Sequence, residues 1–294
     1  SKLLKAHAAL LAVAVIYGLN YSIAKDVMPE YVLPRGFILI RALGATFLFH
    51  LVAFFRESQK VERKDWLRFA LAGFFGVAAN QLLFFEGLNL TTPINASVIM
   101  TTNPIIVLLL SALILKVPIK PVRIAGIILG LAGAIFLISR GKDITGIFDR
   151  GKSLGNLLVF LNAASYGAYL IVVKPLMSKY KALTVIRWVF TIGLLYVIPF
   201  GYHQLKEVEW LELPVIISLE IAYVVMFTTF LAYLLNVFAL KIVSSTTVSF
   251  YIYLQPLVAT LAAIAMGKDE LTWVAVIAAS MIFSGVYLVS LYRR

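Results

Sequence analysis

The sequence predicts an all-α, polytopic membrane protein of ten transmembrane helices, arranged as two inverted five-helix repeats. Three observations carry that expectation. Of 294 residues, 62% are apolar and 14% charged, against about 45–50% and about 25% in soluble domains, so a water-soluble globule is excluded. Apolar windows of the roughly 20 residues needed to cross a bilayer recur ten times. The chain also matches itself at a nearly constant offset.

The first window, about 7–27, follows Lys2 and Lys5 but is longer than a signal peptide's apolar core and lacks a small-residue cleavage site, so it reads as a span. Met28-Pro29-Glu30 ends it. The second, about 34–55, begins at Pro34, and the basic run from Arg56 to Asp65 separates it from the third, about 66–88. The fourth covers about 95–115, and Lys120-Pro121 opens the fifth, about 121–139. A polar stretch from Arg140 to Lys152 precedes windows at about 153–173, 183–201, 213–238, 246–266 and 272–291. Gly267-Lys268-Asp269-Glu270 breaks the last two apart. Ten spans leave about nine residues per connection and no room for an extramembrane domain.

Lys and Arg number 26 against 14 Asp and Glu. Most stand between apolar runs, where anionic lipid and topology explain them, so nucleic acid is not an expected partner. Counted on alternate sides with the N-terminus inside, 17 fall in cytoplasmic segments and 8 in outer ones, with Arg41 inside a span. Basic residues resist translocation, so both termini are expected in the cytoplasm of a bacterium whose inner membrane holds the chain. With no Cys, disulfides, thiolate metal sites and Cys nucleophiles are excluded. His7, His50 and His203 lack ligand-like spacing, and no metal or other cofactor is expected. The absence of a Walker loop, a zincin motif and GxSxG argues against an ATP-driven pump and the common hydrolases, and the chain is not expected to be an enzyme.

An offset of 149 places Tyr17-Gly18 on Tyr166-Gly167, Lys25 on Lys174 and Met28 on Met177. An offset of 152 places Leu88 on Leu240, Ser97 on Ser249, Pro104 on Pro256, Leu109 on Leu261, Lys116 on Lys268 and Gly133 on Gly285. A three-residue indel therefore separates two copies, 1–141 and 151–294. Because five spans is an odd number, the second copy is expected upside down relative to the first. Inverted repeats are common in secondary transporters, whose substrate lies near the midplane where the halves meet.

The segments Ala96 to Leu115 and Arg123 to Leu137, with Val248 to Met266 and Asp269-Glu270-Leu271-Thr272 through Leu288, give each copy a Pro-containing fourth helix, a tight turn and a Gly-rich fifth helix. In this the chain resembles, over essentially its whole length, the EamA-type branch of the drug/metabolite transporter superfamily. That family usually carries an acidic residue in the turn before the last helix of each unit. The second copy has Asp269 or Glu270, whereas the first has Val117-Pro118. The resemblance implies six inner helices around a polar cavity with four supporting ones, and it allows amino acids as substrates.

The distribution of amides leads to the same arrangement. Of twelve Asn and Gln, nine lie in windows one, three, four, six, eight and nine, where they avoid lipid. Spacings of three and four put residues on shared faces: Tyr17 with Asn20; Asn162 with Tyr166 and Tyr169; Gln81, next to Asn80, with Phe84; Thr229 with Tyr233 and Asn236; Ser97 with Thr101 and Pro104; Ser249 with Tyr253, Pro256 and Thr260. Asn103 and Gln255 precede the two prolines. The expected lining is amide, hydroxyl and aromatic, with no formal charge at mid-depth. Interhelical hydrogen bonding is the other role these side chains could play.

Each proline also deprives the carbonyl four residues earlier, Met100 or Ile252, of its donor and bends its helix, which makes Pro104 and Pro256 candidate hinges or static kinks. Arg41, Glu86 and Glu220 are ionisable residues within spans that should pair or reach water, and they are candidates for an outer ion pair or a proton site. Lys25 and Lys174 fall at opposite mouths as gates or as snorkelling anchors. Gly126 and Gly130, facing Ser280 and Ser284, offer either a homodimer seam through the fifth and tenth helices or packing within one chain.

These readings converge on a secondary active transporter, an exporter of a small amphipathic metabolite such as an amino acid or an aromatic or heteroaromatic compound. It would work by alternating access, with a proton or another ion as the possible coupling partner. The alternatives are a non-transporting membrane receptor or scaffold, and a transporter of phosphorylated or sugar-nucleotide substrates.

Overall fold

The computed structural model describes residues 2–55, 59–139, 153–265 and 272–290, and these are helical with short connections. The turn holding Asp269 and Glu270 and the link from Arg140 to Lys152 lie outside the described residues. In order, the helices are α1 (Lys2–Val27), α2 (Pro34–Phe54), α3 (Trp66–Gly73), α4 (Ala79–Leu90), α5 (Pro93–Met100), α6 (Asn103–Ile114) and α7 (Pro121–Ser139). They continue with α8 (Ser153–Lys179), α9 (Ala182–Lys206), α10 (Val215–Tyr223), α11 (Ala232–Leu240), α12 (Ser245–Phe250), α13 (Leu254–Ala265) and α14 (Trp273–Ser290).

Among the described residues, six continuous helical segments are long and apolar enough to cross a bilayer: 2–27, 34–54, 63–90, 153–179, 182–206 and 215–240. The starts follow local chemistry. Pro34, Pro93 and Pro121 open helices, where a missing N–H leaves no intrahelical bond unmade. Thr92 accepts from the backbone N–H of Asn95 at 3.1 Å, and Ser244 accepts from that of Thr247 at 3.1 Å. These two N-caps are 152 residues apart, the repeat offset.

Two departures from regular α-helix shape the interior. The third and eighth windows each contain a π-helical segment, Phe74–Ala78 joining α3 to α4 and Val224–Leu231 joining α10 to α11. The fourth and ninth windows are broken rather than bent. α5 ends at Met100, Thr101 and Thr102 close tight turns onto Val98 and Ile99 at 3.0 Å, and α6 restarts with Pro104 in its first turn. A 3-10 turn, Tyr251–Tyr253, separates α12 from α13, whose first turn holds Pro256. A proline in a first turn has no intrahelical N–H to lose and no preceding turn for its ring to strike, and at the first break the Thr101 and Thr102 N–H groups take up the carbonyls of Val98 and Ile99.

α2 lies along α9 and α7 along α14, while α4 packs on α8, α1 on α11 and α13, and α6 on α8 and α12. Small residues set the closest approaches. A Cβ built on Gly285 would stand 2.7 Å from the carbonyl oxygen of Gly126, and one on Gly87 would stand 2.9 Å from that of Gly155. Gly126 thus faces α14 of the same chain through Gly285, whereas Ser280 and Ser284 are exposed. The register expected between the glycines and the two serines is corrected, because Gly285 leaves room for a backbone and the serines do not. Polarity is inside out: Leu113, Leu195 and Phe47 are more than 60% exposed, while Asn20, Arg41, Gln81 and Asn236 are less than 5% exposed.

Candidate functional site

A cavity of about 80 Å³ lies where α1, α2, α4 and α8 meet α11–α13. At about 10–15 Å³ per water it has room for several. From α1 come Tyr17, Asn20 and Tyr21; from α4, Asn80, Gln81, Phe84 and Phe85; from α8, Asn162 and Tyr166. The second half adds Thr228, Tyr233 and Asn236 from the π segment and α11, Tyr251 and Ile252 from the 3-10 turn, and Gln255 from α13. Arg41 of α2 completes the polar wall, and Leu10, Val13, Ala14, Met100 and Val248 supply apolar surface.

Hydrogen bonds fix this wall across the two halves. Tyr233 Oη donates to the Gly76 carbonyl at 2.8 Å and lies 3.3 Å from Asn80 Oδ1, while Asn162 Nδ2 donates to the Asn80 carbonyl at 2.6 Å. Ser165 Oγ reaches the Phe75 carbonyl at 2.8 Å. Phe75 and Gly76 belong to the first π segment, whose widened turn leaves carbonyls for side chains of the other half. Tyr21 Oη donates to Gln255 Oε1 at 3.1 Å, and His7 Nδ1 and Tyr251 Oη share a 2.6 Å hydrogen bond. Among the described residues, Asn20 Oδ1, Asn162 Oδ1 and Arg41 Nη1 are buried on the wall without a hydrogen-bond partner.

Ten expected site residues are brought together here: Tyr17, Asn20, Asn80, Gln81, Phe84, Asn162, Tyr166, Tyr233, Asn236 and Gln255. Six stand off the wall. Asn103 Nδ2 donates to the Ala163 carbonyl at 2.6 Å, Ser249 Oγ to Thr246 at 2.9 Å and Thr101 Oγ1 to Val98 at 2.5 Å. Thr229 Oγ1 donates to the Val224 carbonyl at 2.8 Å and faces Arg41. Tyr169 is buried behind Tyr166 and Tyr233, with ring centroids 6.1 and 6.3 Å away, and Tyr253 packs on Phe250 at 4.7 Å. Irregular helix explains several exchanges. The π segment moves Thr228, five residues before Tyr233, onto the wall in place of Thr229, and the breaks bring Met100 and Ile252 in place of Thr101 and Tyr253.

The expectation of an uncharged lining is corrected by Arg41. Its guanidinium is 4.3 Å from the Phe85 ring centroid, and its Nε donates to Thr229 Oγ1 at 2.9 Å. Among the described residues it forms no ion pair; Glu86 pairs instead with Arg35 at 2.5 Å, and Glu220 keeps Oε2 without a partner. Lys25 Nζ donates to the Asn89 carbonyl at 3.3 Å, and Lys174 Nζ donates to the Leu240 carbonyl and, at 2.6 Å, to that of Val243. Each lysine caps the C-terminal end of α4 or α11, where a cation meets the negative end of the helix dipole. Pro104 and Pro256 lie off the cavity wall.

The two ends of the molecule are tied reciprocally. Gln204, at the end of α9, accepts from the backbone N–H groups of Arg35 and Gly36 at 2.8 and 3.1 Å, at the start of α2. Gln59, after α2, accepts from the N–H of Lys181 at 2.5 Å, at the start of α9. Near Gln59, Lys179 pairs with Glu62 at 2.7 Å and with Asp65 at 2.5 Å. The Lys179 ammonium holds the Glu62 carboxyl below its ordinary range.

Known proteins resemble this chain in sequence and in fold. The EamA-like transporter family profile matches residues 4–139 and, a second time, residues 153–291. The chain is 25% identical over 283 residues to the uncharacterized transporter YyaM of Bacillus subtilis (strain 168), which covers 96% of this chain and 92% of that protein. An uncharacterized transporter of Archaeoglobus fulgidus is 25% identical over 250 residues, 84% of this chain and 83% of the relative. A protein crystal structure aligns with 100% of this chain and 98% of its own, with a TM-score of 0.73 at 17% identity, which is a likeness of fold.

Proposed function

Because the chain belongs to the EamA-like transporter family and is a multi-pass integral membrane protein, we propose that it is a secondary transporter. It exports a small amphipathic metabolite, such as an amino acid or an aromatic compound, by alternating access, with a proton or another ion as the coupling partner. The observation that carries this reading is a cavity built from both halves of the chain, walled by amides, phenols and one guanidinium, with buried polar atoms that no group among the described residues satisfies. Such a site fits a small polar-apolar ligand inside a bilayer.

Ten spans in two inverted repeats supply the moving parts of this mechanism. Several features support the arrangement. The family profile matches twice in tandem. The contact of α4 with α8 has a repeat counterpart in that of α11 with α1, and the contact of α1 with α13 has one in that of α8 with α6. Lys25 and Lys174 cap repeat-related helices, and both π segments fall in repeat-related positions. The start of α2 lies with the end of α9 while the start of α9 lies with the segment after α2, as inversion requires. With this topology both termini are cytoplasmic, in a bacterial inner membrane. Reconstitution into proteoliposomes, with efflux of radiolabelled amino acids and aromatic metabolites against protein-free vesicles, tests the proposal. Substrate-dependent flux is expected, and ligand binding without flux would make the chain a receptor.

A further inference from the structure

We infer that the cavity takes a small organic monoanion, its carboxylate on Arg41 and an apolar or aromatic body against the opposite wall; this rests on reading the cavity as the substrate site. Arg41 is 3% exposed, lies on the wall, and keeps Nη1 without a partner among the described residues. Stacking on Phe85 and the Nε bond to Thr229 fix the plane of the guanidinium, so the free edge is already oriented for a carboxylate. A planar fork held this way suits two parallel N–H···O bonds and loses little freedom on binding.

Charge balance favours an anion over a zwitterion or a cation. No Asp or Glu lies among the described residues of the wall, since Glu86 is engaged with Arg35 and Glu220 lies off the cavity. A buried guanidinium without a counter-charge is poorly solvated, and a carboxylate repairs that deficit. An ammonium group would bring a second positive charge and find neutral amide and hydroxyl oxygens and aromatic faces, with no carboxylate among the described residues of the wall. A dianion such as a phosphate monoester would find one cation where it needs several. Asn20 Oδ1 and Asn162 Oδ1, acceptors without a partner among the described residues, are suited to an N–H or O–H on the body of the ligand. The site should therefore rank a zwitterionic amino acid below its deaminated or N-acylated counterpart.

The test is equilibrium binding to the purified full chain in detergent, using matched acid and amide pairs: acetate and acetamide, butyrate and butyramide, phenylacetate and phenylacetamide. Phenethylamine and phenylalanine serve as the cation and the zwitterion with the same aromatic body. At least one acid should bind tenfold or more tightly than its amide, with the amine weakest. In Arg41→Gln the acid preference should fall to within twofold, and Arg41→Lys should keep at least threefold. Wild-type protein in which no acid outbinds its amide, no binding at all included, overturns the proposal whatever the variants do. An unchanged acid preference in a folded Arg41→Gln also overturns it. Proteoliposome flux separates the two readings. Flux of amides or amines with no acid preference leaves transport standing and removes the anion site, whereas acid-selective binding without flux does the reverse.

Discussion

Arg41 on α2 donates through Nε to Oγ1 of Thr229, 2.9 Å away in the π-helical segment before α11, so the cation on the cavity wall is held by a hydroxyl from the other half of the chain. Replacing Thr229 with Val would leave a buried guanidinium N–H unsatisfied at a cost of about 1–3 kcal/mol. Thr229→Val should lower the unfolding temperature in detergent, while Thr229→Ser, which keeps the oxygen, should stay near wild type. Equal losses in both would mean that the methyl group, not the hydroxyl, carries the effect.

Wall residues and residues behind the wall should separate by phenotype. Tyr17→Ala, Asn20→Ala, Gln81→Ala, Tyr166→Ala and Tyr233→Ala should weaken ligand-induced thermal stabilisation at least fivefold in apparent affinity. Tyr169→Ala and Tyr253→Ala should instead lower stability by about 3–5 kcal/mol, the usual cost of emptying an aromatic site. Leu195→Ala and Leu113→Ala, on the exposed face, serve as controls. Losses of affinity in the controls as large as those on the wall would refute the cavity as the site.

Gly285 lets α14 touch α7, because any Cβ there meets the Gly126 carbonyl oxygen at 2.7 Å. Gly285→Leu should cost more than the 1–3 kcal/mol typical of overpacking, since a backbone atom yields less readily than a side chain. Size-exclusion monodispersity and thermal unfolding report it. A well-folded Gly285→Leu would show that the two helices can part without harm.

Pro104 and Pro256 stand at the restarts of α6 and α13, off the wall. Pro104→Ala and Pro256→Ala should slow proteoliposome flux while leaving equilibrium binding within about tenfold, about 1.4 kcal/mol, because they favour a continuous helix over a break. Full flux in both variants removes the breaks from the mechanism. Lost binding alone would make them part of the site's scaffold.

Topology is open to labelling because the chain has no Cys of its own. Lys60→Cys, in the segment after α2, should react with an impermeant maleimide only from the cytoplasm. Glu30→Cys and Glu209→Cys, in the segments after α1 and α9, should react only from outside. Reaction of Lys60→Cys and Glu209→Cys from one face would contradict the inverted arrangement.

The membrane class and the family were legible in the chain alone, because lipid imposes a length and a polarity on every span and because a repeated sequence leaves a matched register. So were ten of the cavity residues, most of them three or four positions from a polar or aromatic neighbour, as Tyr17 is from Asn20, Asn162 from Tyr166, Tyr233 from Asn236 and Gln81 from Phe84, with Asn80 beside Gln81 and Gln255 beside Pro256. Tyr21 could have been added on the same grounds, four residues after Tyr17. Tertiary structure decided the rest where the helix stops being regular. A π turn adds a residue and a 3-10 turn removes part of one, so Thr228 replaced Thr229 on the wall while Met100 and Ile252 replaced Thr101 and Tyr253. Arg41 likewise belonged to a helix with no amide to mark it as facing inward. Only the packing of α2 against Phe85 and the second π segment brings its guanidinium to the cavity, because a single charge carries no period from which its direction can be read.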